Sequence, residues 1–177
     1  MRVSAERGRP LFVFGAVAAA AIILDQGTKI LAVAHLDPDS SVPLLGGWLR
    51  LTLTHNVGSA FGLIRSGTIP IAVSALVCVV ILGYVFRRGL ARAPGRSIPL
   101  GLVVGGALGN LLDRMRTGGV VDFIDLQVWP VFNLADAAIT IGVGLLAIGV
   151  VRRRSAVLQP ESKPDVRGEL PDGHSSQ

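Results

Sequence analysis

Two aspartates stand in surroundings unusual for a charged side chain. Asp122 lies in Gly118-Gly119-Val120-Val121-Asp122-Phe123-Ile124-Asp125, flanked by Val and Phe. Asp136 closes Phe132-Asn133-Leu134-Ala135-Asp136. Greasy surroundings raise a carboxyl pKa. Two carboxylates brought together can share one proton, because like charges disfavour simultaneous ionisation. The ionised partner can then take a proton from water, and the protonated partner can donate to an amide carbonyl and its leaving amine. That is peptide hydrolysis without metal or nucleophilic serine. Asp136 also has a simpler reading. Asn133 has the position of a helix N-cap, and a carboxylate three residues later completes a capping box.

Other polar groups stand where an apolar chain should not carry them. Asp25 and Lys29 are four residues apart, acid before base, which on a helix is the favoured order for an ion pair. Gly109-Asn110-Leu111-Leu112-Asp113-Arg114 places Asn110, Asp113 and Arg114 on one helix face if the helix extends that far. An interfacial helix end with a solvated Asp–Arg tip is the plainer alternative. Gly101, Gly105 and Gly109 recur every four residues and mark close helix packing. No H-E-x-x-H zinc motif occurs, and His35, His55 and His174 are scattered. Ser59 has no evident base partner. Cys78 is single, so no internal disulfide forms, and it reads as a small apolar side chain. No metal or cofactor is expected.

The chain that must position these groups is membrane-like. It has 177 residues, 50% of them hydrophobic and 16% charged, against about a quarter charged in soluble domains. Its mean hydropathy is +0.58. A span needs about 20 apolar residues, and four stretches qualify, at about 11–34, 68–86, 97–112 and 134–151. Pro70 and Pro99 fall near helix starts, where a missing N–H matters least. The fold class expected is therefore an all-α integral membrane protein of four helices. Residues 1–154 form one domain, and the polar tail 155–177, with Pro160, Pro164 and Pro171, is expected to be disordered.

The net charge of +5 comes from clusters beside the spans, which points to topology and away from nucleic acid. Arg2, Arg7 and Arg9, then Arg87, Arg88, Arg92 and Arg96, then Arg152, Arg153 and Arg154 all fall on one side, expected to be cytoplasmic. Loops 35–67 and 113–133 then face outward. A cleaved secretory signal ending at Ala32-Val33-Ala34 is the competing reading of the N-terminus, but Asp25 and Lys29 interrupt it. In the first outer loop, Leu49, Leu51 and Leu53 alternate with Arg50, Thr52 and Thr54, the period of a β-strand. Trp48 and Trp129 suit a membrane–water interface.

Five blocks together resemble the lipoprotein signal peptidases of bacteria. They are Asp25-Gln26-Gly27-Thr28-Lys29, Asn56-Val57-Gly58-Ser59-Ala60-Phe61-Gly62, Gly105 to Arg114, Gly119-Val120-Val121-Asp122-Phe123, and Phe132-Asn133-Leu134-Ala135-Asp136. The resemblance covers about residues 11–151. It implies an aspartic endopeptidase of the inner membrane that cleaves prolipoproteins just before a diacylglyceryl-modified cysteine. It implies Asp122 and Asp136 as the catalytic pair and Asn56, Asn110, Arg114 and Asn133 as substrate-side groups. Asp25, Lys29, Gly58 and Asp113 would support them, and the first outer loop would form a small β-cradle on the membrane. The expected partners are prolipoproteins and membrane lipids, with the enzyme acting as a monomer and both termini cytoplasmic. Two readings from other classes stay open. A proton-relay transporter would use intramembrane Asp25, Lys29 and Asp136. A scaffold would use only the glycine-lined third helix.

Overall fold

In this computed structural model the described residues are 2–57, 73, 75–81, 83–84 and 94–158. Helix α1 (Arg2–His35) leads into strand β1 (Ser41–Leu44), a 3-10 turn (Leu45–Gly47) and strand β2 (Leu49–Asn56). Helix α2 is described at 73, 75–81 and 83–84. Helix α3 (Ser97–Thr117), strand β3 (Val120–Asp125) and helix α4 (Leu134–Leu158) complete the chain. Much of the second expected span, with Pro70, lies outside the described residues, as do Gly58, Ser59, Arg87, Arg88, Arg92 and the tail beyond 158.

Helix α3 is the centre of the bundle, packing against both α1 and α4. Glycine is what lets it do so. A Cβ on Gly101 would stand 2.8 Å from the Phe14 carbonyl oxygen of α1, and one on Gly105 would stand 2.6 Å from that of Ala18. On the other side, a Cβ on Gly106 would fall 2.4 Å from the Ala135 carbonyl oxygen of α4. Backbones at these distances leave no room for a side chain, the geometry of small-residue helix packing in membranes. Two glycine faces on one helix therefore clamp three helices together.

The outer surface of the bundle is apolar. Phe12, Ile23, Leu24, Ile30 and Leu31 on α1 and Ile141, Ile148, Val150 and Val151 on α4 are all exposed. The stretches Arg9–His35 and Leu134–Arg152 are long and apolar enough to cross a membrane. Contiguous exposed apolar surface of this kind suits contact with lipid.

The sheet departs from the sequence expectation. It has three antiparallel strands in the order β1-β2-β3. The segment between α1 and α2 supplies two, and the segment between α3 and α4 supplies β3, so the sheet joins both segments. The fold is thus helical with a sheet drawn from two loops, where an all-α bundle with a cradle in one loop was expected. No strand is expected from the sequence at 120–125, which lacks alternation. Its first four residues are all buried, so polar and apolar positions do not alternate. Helix α3 runs five residues past the expected 112 and stops at Gly118, whose φ of 76° is left-handed and whose N–H donates to the Arg114 carbonyl. That C-cap is a conformation glycine adopts without strain.

Candidate active site

The chain after β3 folds back on it. The Phe132 N–H donates to the Ile124 carbonyl at 3.0 Å, and the Ile124 N–H donates to the Phe132 carbonyl at 2.8 Å. This bridge brings Asn133 against Asp122. The Asp136 N–H donates to Asn133 Oδ1 at 3.0 Å, and the Asn133 N–H donates to Asp136 Oδ2 at 3.3 Å. The capping box expected from the sequence is therefore present, and it opens α4. It does not exhaust the role of either side chain. Asn133 Nδ2 also donates to Asp122 Oδ1 at 2.6 Å. Asn110 Nδ2, from α3, donates to Asp136 Oδ1 at 2.8 Å.

The two aspartates thus sit at one junction of β3, α3 and α4, each gripped by amides. Asp122 is 2% exposed. It accepts from Asn133 and from Asn56 of β2, whose Nδ2 lies 3.1 Å from Oδ2. Asp136 is only half-buried and opens on an apolar cavity of about 370 Å³ walled by Leu126, Trp129, Phe132, Ala137, Thr140 and Ile141. Burial pushes the Asp122 carboxyl up to about 6, with the negative charge of Asp136 adding to the rise. The Asn56 and Asn133 amides and the Lys29 charge oppose it. Desolvation is the larger effect, as for carboxyls in apolar pockets.

Beneath the aspartates lies a buried charge cluster. Lys29 is 3% exposed and Asp25 fully buried. Lys29 Nζ lies 2.8 Å from Asp25 Oδ2 and 2.7 Å from Asp113 Oδ2. Its third donor goes to Asn110 Oδ1 at 2.9 Å. Asp25 Oδ1 accepts the Ala135 N–H at 3.0 Å, so α1 also tethers the first turn of α4. Gly109 makes space for this: a Cβ there would meet the Asp25 carboxylate oxygen at 2.6 Å. The glycine series therefore does more than pack helices, since its last member admits a carboxylate.

Most of the site residues expected from the sequence converge here. Asn110 and Asp113 share one face of α3 toward Lys29, and the Arg114 charge acts on Asp136, Asp122 and Asp113. Gly58 lies outside the described residues. Sequence reasoning gave Gln26 and Arg116 no role. Gln26 Nε2 donates to Asp113 Oδ1 at 2.8 Å and to the Gly109 carbonyl at 3.2 Å, and Arg116 donates to Gln26 Oε1. Gln26 adjoins Asp25, which is the signal that could have found it.

A buried carboxyl of raised pKa beside a second carboxylate that reaches a cavity is the equipment of an acid–base hydrolase, set among helices suited to a membrane. Comparison with known proteins gives the family. The signal peptidase II family (Peptidase_A8) matches residues 17–152. Among similar proteins, the lipoprotein signal peptidase of Moorella thermoacetica is 44% identical over 71% of this chain and 83% of its own length. That of Chlorobium phaeobacteroides is 43% identical over 74% and 91%, and that of Geobacter sulfurreducens 39% identical over 81% and 96%. A bacterial membrane enzyme solved by the in meso method at 2.3 Å superposes with a TM-score of 0.74 at 29% identity, covering 88% of this chain and 95% of that one. The chain belongs to the signal peptidase II family and is a peptidase.

Proposed function

We propose that this chain removes the signal peptide from prolipoproteins by cleaving just before a diacylglyceryl-modified cysteine, with Asp122 and Asp136 as the catalytic pair. The observation that carries the assignment is the unequal environment of two adjacent carboxylates. Asp122 is buried and holds a proton more readily than an ordinary aspartate. Asp136 borders the cavity. In this reading Asp136 takes a proton from water as the oxygen attacks the scissile carbonyl carbon. Asp122 gives its proton to the carbonyl oxygen, forming a tetrahedral diol. Collapse of that diol breaks the C–N bond as the leaving nitrogen gains a proton from the dyad. The products are a signal peptide with a new carboxyl end and a lipoprotein with a free cysteine amine.

The same reading makes residues 1–154 one domain of four spans in the bacterial inner membrane, with both termini cytoplasmic and the aspartates near the outer face. The exposed apolar surfaces of α1 and α4 support this, as does the position of the sheet beside the aspartates. Asn56, Asn110, Asn133 and Arg114 line the reacting bond, and the apolar cavity beside Asp136 suits a substrate that arrives through lipid. The enzyme works as a monomer. Polar groups gathered at one end of the helices favour this over a transporter, which needs them at mid-membrane or on both sides.

The test is cleavage of a diacylglyceryl-modified prolipoprotein by the purified protein in lipid. Wild type should cleave, and Asp122→Asn and Asp136→Asn should not. Equal cleavage by all three would remove the dyad. A folded wild type that cleaves nothing would remove the assignment.

A further inference from the structure

The asparagines that hold the two aspartates can each be turned either way. An amide side chain is a donor at one end and an acceptor at the other, with nearly the same shape. Asn110 stabilises the Asp136 carboxylate only while Nδ2 faces it. Turned over, it would set Oδ1 against a carboxylate oxygen. What fixes the orientation is the partner at its other end. Lys29 has three N–H donors and no acceptor. Its donors go to Asp25, Asp113 and Asn110 Oδ1, at 2.8, 2.7 and 2.9 Å. An ammonium can face only the oxygen of Asn110, so the nitrogen must face Asp136. Asn133 Nδ2, also a donor, reaches the same Asn110 oxygen at 3.1 Å and reinforces that choice. Asn133 is itself oriented by the Asp136 backbone N–H on its Oδ1.

We infer that Lys29 is a positioning residue for catalysis: it fixes the amide of Asn110 so that Asn110 donates to Asp136. The inference rests on the reading of Asp122 and Asp136 as the catalytic pair, and Lys29 itself touches neither reacting atom. Asp25 and Asp113 both hold the ammonium in place, and Gln26 holds Asp113. A purely structural lysine would need only the two carboxylates. Its third hydrogen bond, to an asparagine on another helix and 81 residues away, is what couples it to the site.

A double-mutant cycle on the full chain in lipid separates the two roles. Lys29→Met should lower kcat by roughly 10- to 100-fold, the range known for lost orienting partners of metal-site ligands, with KM little changed. In an Asn110→Ala background, followed by single turnover with excess enzyme, Lys29→Met should cause little further loss. Equal loss in both backgrounds would overturn the inference and leave Lys29 structural. If Lys29→Met loses its thermal unfolding transition, the cycle is repeated with Asp113→Asn present throughout, which removes one stranded charge. A third variant keeps Lys29. Asn110→Asp retains the acceptor for Lys29 but has no donor for Asp136, so it should stay folded with kcat lost, and retained activity would also overturn the inference. Active Asp136→Asn would instead sink the dyad, so the two failures are distinguishable.

Discussion

Replacing Asn56 with Ala should move the alkaline limb of the pH profile upward. Asn56 donates to Asp122 Oδ2 at 3.1 Å, and a donor favours the ionised carboxylate. Removing it should leave Asp122 more readily protonated. A hydrogen bond to a charged group contributes about 1.5–3 kcal/mol net, and Asn56 is exposed, so about 1 kcal/mol is a fair share here. At about 1.4 kcal/mol per unit, that is a rise of about 0.7 pKa unit. The sign follows from the roles. Asp122 starts at about 6 and supplies the proton, so activity is lost as pH rises through its pKa. A higher pKa extends activity to higher pH. The assay is kcat/KM against pH, which reports the free enzyme, and its two limbs belong to the dyad as a pair. Any loss of substrate contact scales the whole profile without moving its limbs. Asn56 is the better probe than Asn133, whose amide binds Asp122 more closely but whose loss also uncaps α4. An alkaline limb that stays in place, or moves to lower pH, would refute the assignment of the proton to Asp122.

Three further outcomes are expected. Asp25→Ala takes from Lys29 one of its two carboxylates, leaving Asp113, and frees the Ala135 N–H; a buried donor left unsatisfied costs about 1–3 kcal/mol, so thermal unfolding in detergent should show a fall in Tm, and an unchanged Tm would mean that Asp25 does not tie α1 to α4. Gly106→Ala forces a methyl to within 2.4 Å of the Ala135 carbonyl oxygen, and overpacking of this kind costs about 1–3 kcal/mol; wild-type stability would show that α3 and α4 are not in backbone contact. Trp48 and Trp129 are the chain's two tryptophans and are 83% and 67% exposed, so in vesicles of acyl-brominated lipid both should be quenched; unquenched fluorescence would hold the sheet clear of the bilayer.

The parts of the structure written along one dimension were legible in the sequence. The period-two run of Leu49, Leu51 and Leu53 became β2, and Asn133 with Asp136 became a capping box, because each needs only neighbours within a turn or a pleat. The Asp25–Lys29 pair was equally visible, since i and i+4 meet on any helix. Strand β3 was not, because Val120 to Phe123 are buried together and carry no alternation to detect. Nor could spacing reveal that a sheet begun between α1 and α2 would be completed by a strand from the segment between α3 and α4.

The site itself was legible as residue types and not as a mechanism. Sequence placed two aspartates and three asparagines near one membrane face but could not say which oxygen each amide would meet. That depends on contacts between segments far apart in the chain: Asn56 to Asp122, Lys29 to Asn110, Asp25 to Ala135. Here the physical logic runs from charge to direction. A buried lysine with donors alone faces two carboxylates and one amide oxygen, and that amide nitrogen then has one place to point. The asymmetry between Asp122 and Asp136 follows from the same packing. The sheet buries the first and the start of α4 leaves the second beside a cavity, so two residues of one chemical type come to differ in the ease with which they hold a proton.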